Sequence, residues 1–123
     1  MKKILFDTNF LIDLARFKID IDEVKTVAGP CKFSILESVL KELKRIAGKK
    51  TRSARSAKVA LRLIELNNFK IIKSREKNTD KAILKLANKE TIVATNDSKL
   101  RKALKNKGIK TIYLRKKKKL AID

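Results

Sequence analysis

Two hydrophobic rhythms alternate along the chain: short unbroken apolar runs, and longer stretches with an apolar residue every three or four positions. Lys2-Lys3-Ile4-Leu5-Phe6 is a run closed by Asp7 and reads as a strand; Asn9, a good N-cap, then precedes Phe10, Leu11, Leu14 and Ala15 at helical spacing. Asp20 and Asp22 introduce a short helical stretch to Val27, which Gly29-Pro30 stops with a turn. Cys31-Lys32-Phe33-Ser34-Ile35 is a second strand. From Leu36 the residues Val39, Leu40, Leu43, Ile46 and Ala47 keep helical spacing until Gly48. Another helix runs from about Ala54 through Leu66, with Ala57, Ala60, Leu61 and Ile64 on one face, after the basic link Lys49 to Ser53. Asn67-Asn68 breaks it, and Phe69-Lys70-Ile71-Ile72-Lys73 has strand character before a loop from Ser74 to Asn78. Asn78 or Thr79 caps a helix carrying Ala82, Ile83, Leu86 and Ala87, and the β-branched Thr91-Ile92-Val93-Ala94-Thr95 follows as a strand. Asn96-Asp97-Ser98 opens a helix with Leu100, Ala103 and Leu104, which Gly108 closes, and Ile109 to Leu114 is the last strand.

Strands alternating with helices, without a long linker or an internal repeat, predict one α/β domain over residues 1–114 with a parallel sheet covered on both faces. The remainder, 115–123, opens with Arg115-Lys116-Lys117-Lys118-Lys119 and reads as a solvated basic C-terminal tail. A chain of 123 residues, 43% hydrophobic, is long enough for one core, so disorder is expected only at the ends.

Composition narrows the chemistry. The chain has no His and one Cys, which excludes Ser-His-Asp and Cys-His nucleophiles, an imidazole base and an ordinary zinc site. Three isolated glycines build neither GxGxxG nor GxxxxGK[ST], so a nucleotide-cradling loop is absent. No segment reads as a signal peptide or a membrane span, and one cysteine closes no internal disulfide; the expectation is a cytoplasmic protein with no membrane partner. Lys and Arg number 33 against 13 acids, a net charge of +20. A thermophile surface enriched in Lys is enriched in Glu as well, and here the acids have not risen, so the partner is a polyanion and nucleic acid first of all.

In an open parallel sheet, ligands bind beyond the carboxyl ends of the strands. Asp7 ends the first strand, Asp97 follows the fourth, Asp80 begins the helix after the third, and Glu42 lies on the helix after the second, so all four can meet at one sheet edge. Such a cluster repels itself without a cation, and an all-oxygen set suits Mg²⁺ or Mn²⁺. Each residue alone has a plainer role: Asp97 as an N-cap, Asp80 as a first-turn acid favoured by the helix dipole. Glu37 and Glu42 occupy opposite shoulders of the same apolar stripe, Glu37 in i,i+4 reach of Lys41, and spacing does not choose between them.

The segments Phe6-Asp7-Thr8-Asn9-Phe10-Leu11, Val39-Leu40-Lys41-Glu42-Leu43, Thr79-Asp80-Lys81-Ala82-Ile83 and Val93-Ala94-Thr95-Asn96-Asp97 resemble, in order, the acidic motifs of PIN-domain nucleases, across almost the whole chain. Through Arg16-Phe17-Lys18-Ile19-Asp20-Ile21 and Ile112-Tyr113-Leu114-Arg115 the chain looks closest to archaeal relatives of the Fcf1/Utp24 ribosomal-RNA-processing nuclease. The resemblance implies a PIN-like, Rossmann-like three-layer α/β/α sandwich with a mostly parallel central sheet. It also implies Asp7, Glu42, Asp80 and Asp97 as catalytic, metal-binding acids, choosing Glu42 over Glu37, with Thr8, Asn9, Thr95 and Asn96 as supporting polar residues. Lys81 stands where relatives often carry a second acid. The implied activity is a Mg²⁺- or Mn²⁺-dependent endoribonuclease that prefers single strands, acting on ribosomal RNA precursors. Rival readings are a VapC-type toxin ribonuclease restrained by an antitoxin, and a PIN-fold RNA-binding module without catalysis. PIN domains commonly pair, so a homodimer is expected, and Arg115, Lys116, Lys117, Lys118 and Lys119 are expected to contact RNA.

Overall fold

Each apolar run becomes a strand because, once buried on both sides, it has no polar face to offer water. The computed structural model describes residues 1–123. In chain order they form β1 (Lys2–Phe6), α1 (Thr8–Arg16), α2 (Asp22–Ala28), β2 (Cys31–Leu36), α3 (Glu37–Ala47), α4 (Arg52–Leu66), β3 (Lys70–Ile72), α5 (Thr79–Leu86), β4 (Thr91–Ala94), α6 (Ser98–Asn106), β5 (Lys110–Arg115) and β6 (Lys119–Ile122). One six-stranded sheet in the order β3-β2-β1-β4-β5-β6 results, parallel except for β6. This is the three-layer α/β/α sandwich with a mostly parallel sheet that the PIN resemblance implies.

The strand order fixes which helices lie where. From β1 the chain moves leftward through β2 to β3, then returns to β4 and moves right, so right-handed crossovers place α1 to α4 on one face and α5 and α6 on the other. Packing agrees: α1, α3 and α4 pack together, and α5 packs on α6. The direction reverses between β1 and β4, which opens a crevice at their carboxyl ends. Phe6, fully buried, centres the core under α1 to α4, its ring 5.8 Å from Phe10, 5.1 Å from Phe33 and 5.0 Å from Phe69. Four of the five phenylalanines are thereby committed to packing, each such pair adding about 0.5–1.5 kcal/mol beyond its area.

Two expectations are corrected. Asp7, not Asn9, caps α1: its backbone is extended and its carboxylate accepts the Thr8 N–H, while Asn9 lies exposed in the first turn. Asp is as good a cap as Asn and sits one step nearer the strand end. Second, 115–123 is not a free tail. Lys119–Ile122 returns antiparallel beside β5, with Leu114 opposite Leu120 and Arg115 opposite Lys119. What ties it down is Leu120, 7% exposed, together with Asp123, whose backbone bonds Thr111 in both directions at 2.8 and 3.1 Å. Arg101 on α6 adds a clamp, stacking 3.5 Å over the Tyr113 ring and reaching the Asp123 carboxylate at 3.4 Å. Lys116 and Lys117 at the hairpin tip take left-handed φ of 52° and 59°. For residues with a Cβ this costs roughly 1–2 kcal/mol each.

Leu120→Ala should therefore lower the unfolding free energy by about 2 kcal/mol or more, as core truncations do, where an equivalent change in a solvated tail would cost nothing. Urea denaturation of the two proteins measures the difference.

Candidate active site

The site grows from the crevice between β1 and β4. The Asp7 N–H donates to the Ala94 carbonyl at 2.9 Å, extending the β1–β4 ladder one residue beyond the strand and fixing the carboxyl at the sheet's C-terminal edge. Its Oδ1 accepts the Thr8 N–H at 2.9 Å and its Oδ2 accepts the Thr95 hydroxyl at 2.9 Å. Thr95, wholly buried just past β4, receives in turn the Asp97 N–H at 3.2 Å. Asp97 Oδ1 takes the Lys99 and Leu100 N–H groups at 2.9 and 3.1 Å, capping α6 and leaving Oδ2 outside these bonds. One hydroxyl thus couples the two aspartates across the strand reversal.

Glu42 and Asp80 approach from the flanking helices. Asn78 caps α5 through the Lys81 N–H, which sets Asp80 in the first turn. Thr79 and Ser38 hydroxyls lie 3.2 Å apart and join the start of α5 to α3, and Glu42 stands one turn beyond Ser38 on α3. Glu37 instead pairs with Lys41 at 3.5 Å.

Asp7 and Asp80 each feel the charge of neighbouring acids. Burial pushes the Asp7 carboxyl above the usual carboxylate range; its bonds from Thr95 and Thr8 oppose this, and the charges of Asp80 and Asp97 add to it. Asp80 is likewise raised, by burial first, then by Asp97 and Glu42. On a chain of net charge +20, none of the four takes part in any of the six ion pairs. Unpaired carboxylates crowded in this way suit a hard divalent cation, whose charge would remove the repulsion and whose preferred donors are oxygens. No three acidic side chains are gathered tightly enough to cage an ion alone, so water or phosphate oxygens would complete its shell.

The supporting residues divide. Thr95 holds Asp7 with its hydroxyl and Thr8 only through its backbone N–H, and Asn96 bonds both the Asp13 carboxylate at 2.8 Å and the Leu114 N–H at 2.7 Å, tying β5 to α1. Asn9 enters none of these bonds and lies exposed. Arg115 to Lys119 form the β5–β6 hairpin tip; since β5 runs parallel to β4, the tip lies at the same sheet edge as the acids. Sequence reasoning missed Asp13, Ser38 and the Arg101–Tyr113 stack. Asp13, a lone acid inside the apolar face Phe10-Leu11-Leu14, was the one with a visible signal.

Comparison with known proteins agrees with this fold. The family model described as "PIN like domain" matches residues 4–117. Ribonuclease VapC4 of Methanocaldococcus jannaschii is 35% identical, over 96% of this chain and 94% of that protein. The PIN domain endonuclease Utp24 superposes with a TM-score of 0.81 at 23% identity, covering 98% of this chain and 90% of that one. A domain of a functionally unknown protein from Methanocaldococcus jannaschii superposes at 0.60, with 23% identity and coverage of 94% and 92%.

The raised carboxyls make a stability prediction. Because folding lifts the Asp7 pKa, the native state binds that proton more tightly than the unfolded chain, so ionisation costs stability. Stability should fall as pH rises from the ordinary carboxylate range to the raised value and stay low above it. Asp7→Asn keeps the cap and removes the charge, so in chelator at neutral pH its Tm should exceed the wild type's by a few degrees. The gain should vanish in acid. Thermal melts across pH test both.

Proposed function

Because the chain belongs to the PIN-like family, we propose that it is a divalent-cation-dependent endoribonuclease that prefers single-stranded or flexible RNA. The observation that carries this reading is the set of carboxylates outside every ion pair near the strand reversal, Asp7 repelled by Asp80 and Asp97 and Asp80 by Asp97 and Glu42, on a chain otherwise crowded with cations. A module that only bound RNA would gain nothing from acids turned toward phosphate.

In the proposed mechanism Asp7, Glu42, Asp80 and Asp97 would hold Mg²⁺ or Mn²⁺, which when bound would supply Lewis acidity and positive charge against the scissile phosphate, the usual contribution of such ions to phosphodiester hydrolysis. The chain's own part is positioning. Thr95 and the Thr8 N–H orient the Asp7 carboxylate, the α6 N-terminus fixes one oxygen of Asp97 and leaves the other outside those bonds, and the Ser38–Thr79 contact keeps α3 and α5 together. Lys and Arg around the edge hold the RNA by its backbone. With four phenylalanines buried, base stacking has few partners, so selection of a target depends on RNA shape or on an associated protein.

The biological context follows the Utp24 likeness toward ribosomal RNA precursors. A second reading has its own observation: the 35% identity to Ribonuclease VapC4 supports an antitoxin-restrained ribonuclease. Expression of the chain alone separates them, since a toxin arrests growth unless its antitoxin is co-expressed and a processing nuclease does not. Pairing of two copies is part of the proposal on family grounds.

Asp97→Asn should reduce metal-dependent cleavage of a labelled RNA by at least about a hundredfold while binding stays equal or tightens, because repulsion of phosphate falls. Cleavage by this variant at the wild-type rate would assign the activity elsewhere. At the hairpin tip, replacing Lys116-Lys117 by Asn-Gly relieves the left-handed strain and removes two cations. The expected result is higher stability with weaker RNA binding, read from melts and a filter-binding titration.

A further inference from the structure

The two helices α5 and α6 do not suffice to cover their face of the sheet. Each is about 10–12 Å across and strands are about 4.8 Å apart, so each shields about two strands of six. What stays open is the β2–β3 side, where the structure has two adjoining cavities of about 410 and 440 Å³ that share Lys3, Ser34, Lys70 and Ile72; the first wraps round the edge of β2 that β3 leaves unpaired, since Lys25, Cys31, Phe33 and Asn67 belong to the α1–α4 side. Lys25 and Lys32 complete the first and Lys73 the second, with Asn67 and Asn88 among the polar walls, and no carboxylate lines either one.

The placement of these lysines is costly to the fold alone. Lys3 and Lys32 are register partners on neighbouring strands, so their side chains share a face, and like charges so paired are destabilising. Lys70 lies opposite Ser34, one strand further and two residues along. Lysines on edge strands guard against aggregation, which accounts for Lys70 on β3 but not for Lys3 on the inner strand β1. None of Lys3, Lys32, Lys70 and Lys73 is in an ion pair. Lys3, Leu5 and Asp7 alternate onto one side of β1, and Lys3 stands about 13 Å of strand from Asp7 at about 3.3 Å per residue.

We propose that this open sheet face is a second binding track, in which Lys3, Lys32 and Lys70 hold the backbone of a single-stranded RNA whose other end lies in the acidic crevice. The proposal rests on the ribonuclease reading for its ligand and adds a place where several nucleotides beyond the cleaved bond are held. A single strand fits because the groove offers amides and cations on a shallow floor and no aromatic ladder to read bases.

Cys31, the only cysteine, lines the first cavity at the open edge of β2, next to Lys32, and serves as a reporter. In the Asp97→Asn chain with chelator, which binds without cutting, a 12-nucleotide oligouridine should slow maleimide labelling of Cys31 severalfold. A Lys3→Gln/Lys32→Gln/Lys70→Gln variant should fold with an unchanged or higher Tm and bind that oligomer at least tenfold more weakly. Its log K against log salt slope should be shallower by about 2, at about 0.7 for each of the three phosphates that a lysine neutralises in the wild type. In the otherwise wild-type chain, the triple change should slow cleavage of a 12-nucleotide substrate several times more than cleavage of a four-nucleotide one, which is too short to reach the track. Unaltered affinity and slope in the triple variant, with RNA still cut by the wild type, would overturn the track and spare the ribonuclease reading. Absence of any RNA binding or cleavage by the wild type would overturn both. Protection of Cys31 by polyglutamate but not by oligouridine would reassign the face to an acidic protein.

Discussion

An ionisable carboxyl buried at the end of β1 dictates much of what surrounds it. Asp7 is 6% exposed, and at neutral pH its charge must be met by hydrogen bonds or repelled into protonation. The fold meets it with the first N–H of α1 and with a hydroxyl from the neighbouring strand, and both depend on β1 and β4 lying side by side in register, Phe6 opposite Ala94. The strand reversal and the carboxylate therefore require each other. Two hydrogen bonds do not cancel desolvation together with the charges of Asp80 and Asp97, and the residual repulsion is what a divalent cation would relieve.

Against that local negative field stands a surface of 33 Lys and Arg. Exposed cations repel one another over distances near the Debye length, about 8 Å at physiological salt, so the free protein carries a distributed cost that any polyanion lowers. The hairpin tip shows the same preference in backbone terms: two lysines occupy left-handed conformations that Asn-Gly would adopt with little strain. Strain that persists beside a cluster of unpaired acids is the kind that function retains.

The hydrophobic rhythm made five parallel strands and six helices legible because each has a period of its own, and the placement of Asp7 and Asp97 at one sheet edge was legible because parallel strands deliver their C-terminal residues there. The sixth strand was hidden. Arg115 to Lys119 reads as a charge run, and Leu120-Ala121-Ile122 is too short to signal a strand; only Tyr113 and Leu114 opposite it, with the Arg101 clamp, make the hairpin worth forming. Glu42 against Glu37 was equally beyond periodicity. The pair sits on two shoulders of one stripe, and the Ser38–Thr79 contact, which unites helices 41 residues apart, turns one of them toward Asp80. Asn9 looked like the cap because caps are read by residue type, whereas the extended backbone of Asp7 decides which residue stands at the helix threshold.

The unequal coverage of the sheet links these features. Four helices over one face bury the phenylalanine cluster and supply the α3 carboxylate; two over the other supply Asp80 and the Asp97 cap but leave β2 and β3 partly open. A third helix there would bury Lys3, Lys32 and Lys70, which the interior does not tolerate without partners. The same crossovers that bring the acids to one edge thus leave a basic floor beside them.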